Sequence, residues 1–140
     1  MKNIINTVIA TLTLVVASTV TNAASLKVEF TNIAEHKGEL MVVLYDSAQA
    51  YSNNGQPTRF VSIPVSSEQA AYSFENLPEG NYAIKLFHDT NGNRKLDMNM
   101  LGIPQEGYGF SNNVGRFGEP EFEEAVFNIV KDTSISIIVR

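Results

Sequence analysis

Apolar and polar residues alternate with period two along most of the chain beyond residue 24. This is the pattern of strands that bury one face. In LKVEF, Leu26, Val28 and Phe30 share a face and Lys27 and Glu29 take the other. The run from Leu40 to Tyr45 is apolar on both faces, which predicts a central strand buried on both sides. RFVSIPV places Val61, Ile63 and Val65 together, and its Pro64 predicts a sheet edge, since proline has no N–H for the ladder. AAYSF, NYAIKLFHD, EAVFNIV and SISIIV supply four more segments. Seven short strands predict an all-β fold: a single β-sandwich over residues 24–140. No amphipathic helix longer than two turns is evident, although Ser47–Thr58 has room for one turn before its Asn-Gly break.

The N-terminal residues follow a different rule. One lysine, an apolar run from Ile4 to Val20 and the small residues of TNAAS have the order of a secretory leader, with cleavage expected after Ala23. The run is too short and too interrupted for a membrane anchor. The expectation is an exported protein, periplasmic or extracellular, with no stable membrane insertion once the leader is gone. No cysteine is present, so disulfides, thiol chemistry and lipid attachment at a cysteine are excluded. The net charge of −5 falls to about −6 without Lys2, with the positive charges scattered. Such a domain lacks the basic face that nucleic acid requires. Divalent cations suit its charge better.

One segment breaks the regular spacing. From Thr90 to Phe122 there is no clear strand pattern, and six of the nine glycines fall there. Its apolar residues, among them Leu96, Met98, Met100, Leu101, Ile103, Tyr108, Phe110 and Phe117, are too many for a solvated linker. A long ordered loop that folds back and packs is therefore expected, and functional loops are often of this length.

The loop opens with HDTNGNRKLD, in which Asp89, Asn91, Asn93 and Asp97 stand at positions 1, 3, 5 and 9. With the carbonyl of Lys95, these oxygens are spaced to ligate calcium, the one candidate cofactor. Position 6 is Arg94, position 12 is Met100 and no helices flank the loop, so an EF-hand is excluded. Asp46, Glu106 or water are the candidates for further ligands. The competing account is a polar turn held by Asx hydrogen bonds without metal.

Catalytic signals are sparse. There is no nucleophile elbow around Ser111, and His36 and His88 lack zinc-ligand spacing. The leading expectation is a non-catalytic domain with a binding or structural role. A small hydrolase using His88 with Glu106 is one alternative. A glycan- or peptide-binding module using Tyr108, Phe110 and Phe117 is another. The acidic run Glu119, Glu121, Glu123 and Glu124 reads as a solvated edge or a supplementary cation site, with a carboxylate pair for glycoside chemistry the sharper alternative.

Two resemblances follow from these motifs. Leu77, Pro78, Gly80 and Tyr82 form a Leu-Pro-x-Gly-x-Tyr turn that resembles those of transthyretin-like and immunoglobulin-like sandwiches. The longer run carries His88, Asp89, Asn91, Gly92, Leu96 and Asp97, then GIPQEGYGFSN from Gly102 and finally Phe117, Gly118 and Pro120. It resembles the bacterial exported family called domain of unknown function 2141. Arg94 stands where such loops commonly carry glycine. The resemblance implies an exported β-sandwich and no particular activity.

Overall fold

The computed structural model describes residues 23–52 and 55–140; the leader expected over residues 1–23 lies, apart from Ala23, outside the described residues. Among the described residues, eight strands form two sheets. β1 (Ala23–Thr31), β4 (Ala70–Pro78) and β8 (Thr133–Ile138) make the first, in the order β4-β1-β8. β2 (Glu39–Tyr45), β3 (Arg59–Pro64), β5 (Gly80–Asp89) and β6 (Tyr108–Phe110) make the second, in the order β3-β2-β5-β6, with β7 (Phe127–Ile129) pairing β5 beyond the end of β6. β1 runs antiparallel to β4 and parallel to β8. Two short helices, α1 (Ala48–Tyr51) and α2 (Phe122–Ala125), lie in the connections.

The period-two pattern accounts for the core. Leu26, Val28 and Phe30 from β1 meet Leu40, Val42 and Leu44 from β2 and Tyr82, Ile84 and Leu86 from β5, all buried in one cluster. Pro64 ends the edge strand β3, as a residue without a ladder donor should. In the Leu77–Tyr82 turn, the Tyr82 hydroxyl donates to the Pro78 carbonyl at 2.8 Å, fixing the entry to β5. Each of the seven expected segments contains a strand. A chain beginning at Ala24 retains the Ala24–Leu77 pair of β1 and β4.

The structure differs from the sequence expectation in three places. β6 was not expected, because Gly-Tyr-Gly-Phe is short and lacks β-branched residues. Its glycines serve close approach: a Cβ at Gly109 would lie 2.9 Å from the Ile138 carbonyl oxygen. Tyr108 and Arg140 then exchange backbone hydrogen bonds at 3.0 and 2.9 Å, closing this side of the sandwich. The first residues of EAVFNIV belong to α2 instead of a strand, since Glu121 and Glu124 form a capping box. The long loop packs only in part: Phe110 is buried and Leu96 half-buried, but Met98, Met100, Leu101, Ile103 and Phe117 remain exposed.

Gly38 fixes how the start of β2 meets the end of β5. It has φ +70°, and a Cβ there would lie 2.1 Å from the Asp89 carbonyl oxygen. Gly38→Ala should therefore combine left-handed strain with a backbone clash and cost at least about 2 kcal/mol. Urea unfolding of variant and wild type measures this directly.

Candidate functional site

β5 ends by delivering Asp89 to a buried position, 1% exposed. Its carboxylate accepts three backbone N–H groups: Oδ1 from Gly92 at 2.8 Å and Asn93 at 3.2 Å, Oδ2 from Arg94 at 2.8 Å. Burial pushes the Asp89 carboxyl upward, but the donors from Arg94, Gly92, Asn93 and Asn91 together outweigh it and hold the carboxyl below its usual range. Arg94, in the place of the expected glycine, adopts the left-handed conformation at φ 60°, so the chain still turns there.

Of the five expected cation ligands, Asn91 and Asn93 meet Asp97, while Asp89 is turned to backbone donors. Asn91 and Asn93 donate from their amide nitrogens to Asp97 at 2.5 and 2.9 Å. Their amide oxygens accept the backbone N–H groups of Asn93 and Lys95 at 3.0 and 2.8 Å. The ring is thus closed on protein donors, with nitrogen and not oxygen facing Asp97. Asp46 does not join it. It follows Tyr45, which pairs with Ala83, whereas Asp89 pairs with Glu39, placing Asp46 about 20 Å away at the other end of the sheet.

Glu106 is the second buried carboxylate of the loop. Oε1 accepts the Thr90 backbone N–H at 2.8 Å and its hydroxyl at 3.0 Å, and Oε2 accepts the Asp97 N–H at 3.1 Å. It therefore ties together the two ends of the turn that Asp89 caps. His88 is buried and its Nε2 lies 2.7 Å from the Lys37 carbonyl oxygen, an acceptor, so that nitrogen carries the proton. His88 and Glu106 border one cavity of about 570 Å³, but each is hydrogen-bonded to other partners. Ser111 is also committed to the fold: its hydroxyl accepts the Ile84 N–H and donates to the Ala125 carbonyl.

Beyond this polar anchor, the loop displays apolar groups. Asn99 holds a tight turn by accepting the N–H groups of Leu101 and Ile103 at its side-chain oxygen. The turn presents Met98, Met100, Leu101 and Ile103 outward. With Arg116 and Phe117 from the following turn, Met98 and Ile103 border a cleft of about 690 Å³ on the outer face of the second sheet. Met41 and Val43 of β2 and Phe87 of β5 line it, with Tyr108 and Phe110 of β6 beside them. Tyr108 and Phe110 meet edge to face at 6.0 Å. Of the three aromatics expected as a platform, Phe110 is buried, Tyr108 half-buried and Phe117 98% exposed.

Sequence reasoning missed Lys85, at one end of this cleft. Its ammonium lies 3.8 Å from the Tyr51 ring centroid and 5.3 Å from that of Tyr45. It donates to the Tyr51 carbonyl at 2.7 Å and pairs with Glu119. Burial, with the nearby Glu119 carboxylate, pushes the Tyr51 phenol well up. Lys85 lies between the core residues Ile84 and Leu86 and so faces outward, but nothing in the sequence near it announces α1 and Glu119 as neighbours. The expected acidic run is divided, Glu119 serving Lys85 while Glu121 and Glu124 cap α2.

Fold and site together define a two-sheet β-sandwich with a long loop, pinned by two buried carboxylates, beside an apolar cleft on one outer face. The chain belongs to the family described as an uncharacterized protein conserved in bacteria (DUF2141), whose model matches residues 28–137. No curated protein and no solved structure matches it. Among the described residues, no helix is long and apolar enough to cross a membrane.

Asp89→Ala removes the acceptor of three backbone N–H groups, with an expected loss of about 3 kcal/mol at neutral pH. Because the folded carboxyl titrates below its ordinary value, its contribution is complete above the unfolded value of about 3.9 and is lost as pH falls through the folded one. Denaturant titrations at pH 7 and in acid should thus show a gap between wild type and variant that narrows in acid.

Proposed function

We propose that this protein is an exported, non-catalytic binding module whose ligand occupies the cleft on the outer face of the second sheet. The observation that carries the reading is the cleft itself. Its size is that of small-molecule sites, about 300–1,000 Å³, and its lining is mostly apolar. An outer face that only met water would carry polar residues where this one carries Met41, Val43 and Phe87. The two buried carboxylates give the loop a rigid base, which keeps its apolar turn beside the sheet without a ligand present. Hydrolysis by His88 and Glu106 has less support, because the carboxylate is held by Thr90 and Asp97 and the imidazole by Lys37. Nile red, a neutral apolar fluorophore, should bind wild type saturably at one site. Met98→Asn, at an exposed position on the rim, should weaken that binding about ten-fold. An absence of saturable binding, or equal affinity in the variant, removes the reading.

Calcium at the Asp89–Asp97 turn is the second reading, favoured by the convergence of Asn91 and Asn93 on Asp97. Rotating the two amides would turn oxygens toward Asp97, a geometry that needs a cation between them. For a dissociation constant of about 0.1 mM, 1 mM calcium would add about 1.4 kcal/mol. The melting temperature should then rise in calcium relative to EDTA for wild type and stay constant for Asp97→Ala; equal wild-type values in both buffers retire calcium.

A further inference from the structure

We infer that the cleft takes a single aliphatic chain carrying an anionic head group, and that Arg116 pairs with that head; this rests on the cleft being the binding site. The lining selects the chain. Met41, Val43, Leu96, Met98 and Ile103 are aliphatic, the aromatic side chains beside them add apolar rings, and methionine adapts to flexible ligands of varying shape. A sugar would require several convergent polar side chains, whereas here Lys85 and Glu119 are committed to each other. The rim extends the same surface: Ile103 is 53% exposed and Phe117 almost entirely so, leaving apolar area that a bound chain would cover.

Charge selects the head. The ionic side chains bordering the cleft are Lys85, Glu119 and Arg116. Lys85 and Glu119 neutralise each other, and the ammonium is further held by the Tyr51 carbonyl and ring. Arg116 forms no ion pair among the described residues, although the whole chain has a net charge of −5. Its guanidinium lies 5.9 Å from the Phe117 ring, so cation and exposed apolar surface stand together at the mouth. An aliphatic acid matches both features, and a cationic amphiphile matches only one.

Displacement of Nile red by decanoate, decanol and decyltrimethylammonium, each below its micelle-forming concentration, tests the inference. Decanoate should bind about five-fold tighter than decanol, as expected for one exposed ion pair, and the cation weakest. Arg116→Gln should abolish the preference for decanoate over decanol. Ile103→Asn should weaken both about ten-fold. Flotation with phosphatidylglycerol vesicles but not phosphatidylcholine vesicles would assign the head to a bilayer lipid. Binding of decanoate without flotation would assign a free acid. Equal affinity for decanoate and decanol would overturn the anionic head while leaving the cleft a binding site. Nile red binding that none of the three amphiphiles displaces would overturn the inference altogether.

Discussion

The loop depends on a buried carboxylate at the end of a core strand. Asp89 has both oxygens turned toward backbone N–H groups of the residues that follow it, and so the chain reverses direction as it leaves β5. A buried carboxylate without such donors would be strongly destabilising. With them, it becomes a fixed point that three residues of backbone must satisfy together. Glu106 repeats the device from the far side of the turn, joining Thr90 to Asp97. Two carboxylates held by main-chain and hydroxyl donors thus tie this loop together in a chain with no cysteine.

That arrangement separates two tasks. Residues 89–97 are held in their path by hydrogen bonds to Asp89 and Glu106, with Leu96 lining the cleft. Residues 98–103 need no core contacts of their own to hold their shape, because Asn99 satisfies their backbone. Their apolar side chains are therefore free to face outward. Met100 is completely exposed and Leu101 nearly so. In a turn whose order came from hydrophobic packing, these side chains would be the ones buried.

Strand positions were legible in the sequence because period two is a strong signal where one face is buried, as in Leu26, Val28 and Phe30. β6 was illegible for the converse reason: Gly107 and Gly109 are selected by contact with β8 and its tail, a tertiary requirement with no local signature. The turn was legible as a cluster of four polar residues, and spacing correctly brought Asn91, Asn93 and Asp97 together. Spacing could not tell which atom of each amide faces inward. It also could not separate Glu106 from Asp46 as a neighbour, since that depends on strand register: Glu39 opposite Asp89 puts Asp46 at the wrong end. Lys85 escaped notice because its partners, Tyr51 and Glu119, are each 34 residues distant in sequence.

The doubly apolar strand β2 is where sequence and site meet. Its Leu40, Val42 and Leu44 enter the shared core, which explains one face. Met41, Val43 and Tyr45 point the other way, onto a face that in a solvated sandwich would be polar. Met41 is nevertheless 4% exposed, so the loop and its neighbours do cover part of that face. The cover stops short of closing, and the side chains with which it could close, Ile103 and Phe117, stand at the edge exposed to water. Fold stability alone would favour turning them inward, since apolar burial is the main stabilising term. The apolar second face of β2, the polar scaffold of the loop and the exposed rim are the three features that support the proposed binding role, in which a ligand would complete the packing.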